Sequence, residues 1–299
     1  LRPEARQTDG SMTTEHAADD DLAPAGERAL AETLRAARDE YRAEIRVARG
    51  GAQAAEDYSM RIDRLLTRIH AEASAQTETP VALLAIGGYG RRHLCLHSDI
   101  DLLVLFGGPI AAAEERFVKA LLHPLWDLGF DVGHQVRQLS ELAQAETDNP
   151  EFLVAVGDSR FLTGDAGVFE RFDTLVHGPE SVWRQPTVEA LFGLVAERHR
   201  HFNATIYQLE PDVKEAPGAL RDVAAIRTFV ALTQPGTARS VPATSGRLVE
   251  ALDEAEEFFL RLRSLLHLEN RRNLNVLSHD DQEAVAERFG APGSEVRRQ

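Results

Sequence analysis

The sequence lacks several features that would assign it to well-known chemical classes. Cys95 is its only cysteine, which excludes both an internal disulfide and a cysteine-rich zinc site. Positive charge is also scarce: 33 Lys and Arg face 48 Asp and Glu, for a formal net charge of -15. Such a field repels phosphates, so broad adhesion to nucleic acid or to an anionic membrane is disfavoured. Any phosphate ligand must therefore be held by a local site.

Long hydrophobic runs are missing too. No stretch approaches the ~18 consecutive apolar residues of a membrane span, and residues 1–26 lack the basic and then apolar order of a signal peptide. We therefore expect a cytoplasmic protein with neither a membrane nor a nucleic acid as partner. Residues 1–26 are polar and have little to bury, which predicts a disordered tail in which Met12 is a candidate natural start.

The chain nevertheless contains enough apolar residues, 43% of 299, to build a core. Apolar residues at helical spacing predict N-terminal helices over residues 27–78. Short apolar or alternating runs predict strands at 81–86, 100–106 and 130–136, with a helix at 111–128 between the last two. Residues 79–145 are therefore predicted to form a small α/β unit.

Beyond residue 145 the strand signals fade and helical patterns follow one another. The predicted helices cover residues 150–161, 166–176, 182–201, 220–232 and 247–268. Residues 233–245, with Pro235, Gly236 and Pro242, predict an exposed loop. We therefore expect 146–299 to form a helical domain, and an incomplete one.

The candidate chemistry lies in AIGGYGRRHLCLHSDIDLLVLF, residues 85–106. Asp99 and Asp101 are two residues apart, so on an extended strand both carboxylates point to one face. Such a pair repels itself unless a cation lies between its members. Hard oxygen ligands suit Mg²⁺, which keeps positions for water and substrate phosphate. The pair therefore predicts a metal site that is completed by a nucleotide.

The preceding turn predicts a phosphate site beside the carboxylates. Gly87 and Gly88 let the backbone approach an anion, Arg91 adds positive charge, and Ser98 directly precedes the pair. An isolated D-x-D is more often part of a turn that leads into a buried strand. A Gly-Gly at the end of one strand followed by S-D-I-D on the next strand favours the functional interpretation.

The stretch GGYGRRHL…SDIDLLVLF resembles the glycine and aspartate signature of the PII protein uridylyltransferases. Segments 121–141, 212–222 and 278–290 resemble the same family in the same order, so the likeness covers roughly residues 27–290. The resemblance implies an α/β (α+β) polymerase-β-like nucleotidyltransferase core with N-terminal helices, followed by an α-helical domain.

The resemblance also implies a reaction. UMP would move from UTP to a tyrosine of a PII signalling protein, with Mg²⁺ held by Asp99 and Asp101 and with pyrophosphate released. Lys214 would meet the triphosphate. Many relatives use a third carboxylate on a later strand, for which Asp131 is the candidate here. His134 could serve as a base, but we favour a packing role for it.

The chain departs from the family pattern in a few places. His93 stands where the family usually has an acidic residue, and Ala216 and Ala219 replace glycines. Full-length relatives also carry a His-Asp hydrolase domain and ACT domains, neither of which we expect in this chain. The His279-Asp280 pair lacks the further ligands of a hydrolase metal site and predicts only a helix start.

The same residues also fit other functions. ATP could replace UTP as the donor, with PII or glutamine synthetase as the acceptor, because the residues that select the base lie outside the glycine and aspartate motifs. A non-catalytic module that senses nucleotides or binds a protein is the alternative outside the enzymes. This non-catalytic alternative is favoured because the sequence gives only weak evidence for a third catalytic carboxylate.

Overall fold

A computed structural model of the chain describes residues 25–47, 49–233 and 246–289. The predicted disordered tail, apart from its last two residues, and the predicted loop after Thr233 lie outside these ranges. Two long antiparallel-packed helices come first, α1 (Ala25–Arg46) and α2 (Ala52–Ala73). The rings of Tyr41 and Tyr58 stack between them at 4.8 Å. The predicted N-terminal helices are confirmed, and their periodic apolar residues are buried.

A four-stranded sheet follows, with the order β3-β2-β1-β4. Its strands are β1 (Val81–Ala85), β2 (Ile100–Phe106), β3 (Val132–Gln138) and β4 (Arg160–Gly164). β1 pairs antiparallel with β2 and β4, whereas β2 pairs parallel with β3. The parallel pair needs a crossover, which is helix α4 (Ala112–Asp127). The first three predicted strands are thus confirmed, the third beginning two residues later than predicted.

The fourth strand corrects the sequence interpretation. A single helix over 150–161 was predicted, but α5 (Pro150–Gly157) ends and the chain returns as β4. Its five residues are only partly buried or exposed and show no alternating pattern. What makes this segment a strand is its ladder with β1, a contact between residues that lie far apart in sequence. The sheet therefore extends past residue 145, where the helical domain was predicted to begin.

The remaining described elements are helices, in agreement with prediction. They are α6 (Ala166–His177), α7 (Arg184–His201), α8 (Leu220–Thr233), α9 (Gly246–Asn270) and α10 (His279–Arg288). One more α-helix, the four-residue α3 (Gly87–Gly90), lies in the glycine turn, and two short 3-10 helices cover Ser74–Gln76 and Leu139–Ala143. Within the ranges that the structure describes, none of the helices is long and apolar enough to cross a bilayer.

Apolar side chains cover both faces of the sheet. On one face Leu102 and Val104 of β2 pack with residues of α1, α2 and α4. On the other face Leu103 and Leu105 pack with residues of α5 and α6. Because side chains alternate along a strand, Asp101 lies on the same face as Leu103, one step before the buried layer begins. The end of the sheet at which β2 begins borders a cleft.

Candidate active site

The cleft has a volume of ≈ 640 Å³ and lies between the start of β2 and helices α5, α7, α8 and α9. Almost all of the residues selected from the sequence line it, although they are spread over more than a hundred positions. They are Gly87, Gly88, Arg91, Ser98, Asp99, Asp101 and Lys214. The structure therefore places the predicted metal-binding and phosphate-binding residues around one cleft.

Asp101 and Asp99 differ in their surroundings. Asp101 is partly buried, and burial raises the pKa of its carboxyl, with a further increase from the charge of Asp99. Lys214 is the foremost of the cations that oppose this increase. Asp99 is exposed, and its Oδ1 accepts a hydrogen bond from Nδ2 of Asn273 at 3.4 Å. The two carboxylates thus repel each other beside a cluster of cations.

Gly133 is a site residue that the sequence interpretation missed. The parallel ladder sets it directly opposite Asp101. A Cβ atom at position 133 would lie 2.4 Å from Oδ1 of Asp101, closer than non-bonded atoms approach. The signal was present, because a glycine inside a strand often marks a place where another group approaches closely. Only glycine leaves the Asp101 carboxylate in its place.

The glycine turn reaches Asp101 from the other side. Gly87 has φ +56, in the left-handed region that favours glycine, and a Cβ added there would lie 3.8 Å from Oδ2 of Asp101. Gly90 ends the turn so close to α5 that a Cβ would lie 1.9 Å from the carbonyl oxygen of Asp158. At Gly90 the turn is therefore packed against the end of α5 without room for a side chain.

Three side chains hold this turn from behind, and we call them the Tyr89 clamp: Asp63 of α2, Tyr89 of the turn and Arg160 of β4. The Tyr89 hydroxyl donates to Asp63 Oδ1 at 2.6 Å. Arg160 donates to both Asp63 oxygens, at 2.7 and 3.1 Å, and also to the carbonyls of Tyr89 and Gly90 at 3.3 and 3.2 Å. The clamp joins three separate elements, so sequence spacing could not reveal it.

Arg91, predicted to bind phosphate, already has an anionic partner. Its guanidinium forms an ion pair with Asp158, which also lines the cleft. Burial raises the pKa of Asp158, and the Arg91 charge and hydrogen bond oppose that increase. Ser98 likewise has a structural role, because its Oγ accepts from the backbone N–H of Cys95 at 2.9 Å. Both residues border the cleft while stabilising its wall.

The opposite wall of the cleft is basic. Lys214 precedes α8, and burial lowers the pKa of its ammonium group, with Arg263 and Arg221 adding to the decrease. Arg263 lies on α9 and is only 5% exposed; its Nε donates to Asn275 Oδ1 at 2.7 Å. Within the described residues no carboxylate lies within ion-pair distance of Arg263. A buried guanidinium without a counter-charge favours an anion beside it.

Arg263 could not be found from the sequence, because it lies inside an otherwise apolar helical pattern and belongs to no phosphate motif. Arg221 and Asp222 lie in the first turn of α8. Burial works to raise the pKa of Asp222, but the Gly218 N–H, Arg198 and His199 outweigh it, so the pKa is lowered. The carboxylate of Asp222 thus has a structural role, because it accepts a hydrogen bond from the Gly218 N–H in the loop that also carries Lys214.

Asp131 is the one selected residue that does not line the cleft. Its backbone carbonyl accepts from the N–H of Ile100 at 2.8 Å, which places it beside the start of β2, but the residue is exposed. His134 borders the cleft, and its ring lies 6.2 Å from that of Trp126. Because His134 is exposed, the packing role favoured for it stays a prediction.

The residues that depart from the family pattern lie at buried or partly buried positions. Burial lowers the pKa of His93 to about 3, so the imidazole is neutral, and its Nε2 lies 3.6 Å from Oε1 of Glu256. Ala216 and Ala219 are both buried. His279 and Asp280 begin α10, whose cap is Ser278, as predicted. In the described ranges no group of three or more His, Cys, Asp or Glu side chains could hold a metal ion.

Two kinds of comparison with known proteins point to the same family. A family model described as GlnD PII-uridylyltransferase matches residues 188–299. The bifunctional uridylyltransferase/uridylyl-removing enzyme of Pasteurella multocida (strain Pm70) is 32% identical over 240 residues, which cover 78% of this chain and 28% of that protein. Its namesake from Methylococcus capsulatus (strain Bath) is 34% identical over 239 residues, covering 78% and 27% respectively.

A third relative of the same name, from Bordetella pertussis, is 34% identical over 223 residues, covering 72% of this chain and 25% of its own length. The chain thus spans little more than a quarter of the length of these relatives. The likeness nevertheless extends over most of the chain and the family model covers its C-terminal third. On these matches the chain belongs to the PII-uridylyltransferase family.

Proposed function

We propose that this chain has a polymerase-β-like nucleotidyltransferase core that transfers UMP from UTP to a tyrosine of a PII protein, with Mg²⁺ bound. The observation that carries the proposal is the cleft itself: an aspartate pair beside a glycine turn faces Lys214 and Arg263. A nucleoside triphosphate needs cations on one side and a metal ion on the other. The names of the relatives supply the substrate class.

The donor set fits Mg²⁺. Asp99 and Asp101 offer oxygen ligands, and their mutual repulsion, which contributes to the raised pKa of Asp101, is relieved by a divalent cation. Within the described residues, no third His, Cys, Asp or Glu joins them in a group that could hold a metal, which suits a metal whose other ligands are water and phosphate. Bound there, Mg²⁺ would neutralise charge on the phosphate oxygens of the nucleotide.

The residues of the chain have separate tasks in the proposed reaction. The Gly87–Gly90 turn lets the backbone approach the phosphates, while Lys214 and Arg263 neutralise them from the opposite wall. The tyrosine oxygen of the acceptor attacks the α-phosphorus and forms a new P–O bond. The bond from the α-phosphorus to the bridging oxygen breaks, and pyrophosphate leaves with both electrons of that bond. The proton of the tyrosine passes to a base.

Asp131 remains the candidate for that base from the sequence, but its exposed position outside the cleft wall weighs against it. On β3, Gly133 and Gln135 lie on the same face of the sheet as Asp101, and neither side chain is a carboxylate. Glu151 of α5 lines the cleft and is the alternative that the structure adds. Lack of a carboxylate on β3 is also what favours the non-catalytic alternative, a nucleotide-binding module without turnover.

The test is transfer of radiolabel from α-labelled UTP, and separately ATP, to purified PII protein with Mg²⁺. The double variant Asp99→Asn/Asp101→Asn is the blank, and Asp131→Asn and Glu151→Gln examine the base. Label from UTP that disappears in the blank is the expected result. Label from ATP alone would make the chain an adenylyltransferase. Nucleotide binding without transfer from either donor would contradict the proposed enzyme and favour the non-catalytic module.

A further inference from the structure

A second cavity of ≈ 540 Å³, which we call the basic cavity, lies between the end of α1, the end of α9 and α10. Its charged lining consists of four arginines and two carboxylates: Arg42, Arg46, Arg271, Arg288, Asp39 and Glu269. This is a local surplus of positive charge in a chain whose formal net charge is -15. Such a surplus attracts anions against the field of the whole protein.

Within the part of the chain that the structure describes, two of the four arginines have a carboxylate partner. Arg42 pairs with Asp39 at 2.8 Å, and Arg288 pairs with Glu269 at 2.9 Å. Neither Arg46 nor Arg271 forms an ion pair with any residue in the described ranges. Among the described residues, the cavity therefore offers two guanidinium groups without a carboxylate partner, and their planar donor forks match phosphate oxygens.

Arg271 is also held in an unusual backbone conformation. It directly follows α9, and its φ of +53 lies in the left-handed region, where glycine or asparagine is usual after a helix. An arginine costs more there than either of those residues. This conformational cost would be offset if the Arg271 side chain, which lines the cavity, bound a ligand.

The floor of the cavity contains a buried histidine. His267 is 0% exposed, and its Nδ1 accepts the backbone N–H of His97 at 3.3 Å. Burial lowers the pKa of His267 to about 2, so the ring is neutral and its hydrogen is on Nε2. The Asn275 side chain acts on the ring as a hydrogen-bond partner, although the contact of Nε2 falls short of full hydrogen-bond geometry. A neutral ring adds no charge to the cavity, so the positive charge there comes from the arginines.

Two chain segments connect the basic cavity with the cleft. In the first, His97 lines the basic cavity, and the next two residues, Ser98 and Asp99, line the cleft. In the second, Arg271 lines the cavity, while Asn273 donates to Asp99 Oδ1 and Asn275 accepts from Arg263. A ligand that orders Arg271 and His97 therefore acts on the two segments that position one metal-ligand candidate and the buried arginine of the cleft.

We propose that the basic cavity binds a small phosphate-bearing dianion or polyanion through Arg46 and Arg271, and that this binding orders the segments around Asp99. Binding does not depend on the proposed transfer reaction, because it is measured without an acceptor. The proposal predicts two anion sites in the chain: the cleft, which needs Lys214, and the basic cavity, which does not.

The test uses inorganic pyrophosphate as the probe and isothermal titration calorimetry on the Lys214→Gln variant, which weakens the cleft. Arg46→Gln/Arg271→Gln in this background should weaken pyrophosphate at least about tenfold, because each lost charge-assisted contact is worth about that factor. Arg35→Gln, an exposed arginine on α1 outside both cavities, is the matched control and should change nothing. Both arginines being exposed, the double variant is expected to fold.

Hydrogen exchange locates the effect. Pyrophosphate should slow amide exchange at residues 96–99 and 271–275 in Lys214→Gln, but not when Arg46 and Arg271 are also replaced. Pyrophosphate binding that is lost in Lys214→Gln alone would place the anion only in the cleft and overturn the proposal. Equal affinities with and without the two arginines, or protection confined to the cleft, would also overturn it.

Discussion

The two walls of the cleft differ in how they are built. In the acidic wall, Asp101 belongs to β2, where alternation along the strand and the ladder with β3 fix its side chain, and Asp99 directly precedes that strand. The basic wall consists of Lys214 in an irregular loop and Arg263 on a helix. The difference teaches that carboxylates in this cleft are positioned by local geometry, whereas its cations depend on the packing of the helical half.

The largest effect is expected from Asp101→Asn in the acidic wall. The amide keeps the volume but removes a charged oxygen ligand, so label transfer should fall by about 10²- to 10³-fold. The circular dichroism spectrum should be unchanged. Transfer within threefold of the parent chain would mean that Asp101 holds no metal.

The same substitution should stabilise the metal-free protein. The pKa of Asp101 is raised by burial, so the unfolded chain loses the proton at a lower pH than the folded one. Stability of the parent chain therefore falls as pH rises from the unfolded pKa through the raised folded pKa. Asp101→Asn should have the higher melting temperature above that window and no advantage below it, as thermal unfolding without Mg²⁺ would show.

A smaller loss of activity is expected from Gly133→Ala, because this substitution removes neither carboxylate. The new Cβ would lie 2.4 Å from Oδ1 of Asp101, so the carboxylate must move, and a displacement of this size costs about 10²-fold. Gly193→Ala is the control, because nothing lies within 4 Å of a Cβ there in α7. It should leave transfer unchanged and stabilise the helix by ~0.5–1 kcal/mol. Equal activities of the two variants would refute the crowding argument.

The basic wall should respond more mildly and differently. Lys214→Gln removes one charged contact with the triphosphate, so the Kd for UTP should rise about tenfold, as measured by calorimetry. Lys119→Gln on α4 is the control, since Lys119 is exposed and lies outside the cleft. If the two variants bound UTP equally well, Lys214 would have no role in binding, and the basic wall would depend on Arg263 alone.

The same contrast decides what could be predicted from the sequence. The helices and the first three strands follow from local periodicity, so they were predictable. Strand alternation explains the face on which Asp101 lies, but Asp99 directly precedes β2 and is exposed, so the common face of the pair stays a prediction. Strand β4 was predicted as helix because its pairing with β1 is non-local and its residues show no alternation. Arg263 and the Tyr89 clamp were missed for the same reason: their partners lie more than ten and up to ninety-seven positions away.

Gly133 is the exception, since a glycine inside a predicted strand was visible and was not used. Conversely, Arg91 was selected as a free phosphate ligand, and only the structure reveals its ion pair with Asp158. A motif thus identifies the residues near a site, while the charges left free there depend on the partners that the fold supplies. This is why the acidic wall was predicted in more detail than the basic one.

The smallest effect is expected behind the acidic wall, at the Tyr89 clamp. Tyr89→Phe removes the hydroxyl that donates to Asp63 but keeps the buried ring beside Arg160. Since Arg160 still satisfies both Asp63 oxygens, the free energy of unfolding should fall by only about 1 kcal/mol, measured with a denaturant. The KM for UTP should rise a few-fold with little change in kcat, because the turn loosens without moving Asp101. Tyr207→Phe, at a side chain that is 88% exposed, is the control and should change neither quantity. A loss in kcat as large as that of Gly133→Ala would instead mean that the clamp positions the carboxylates themselves, and the two walls would then share one support.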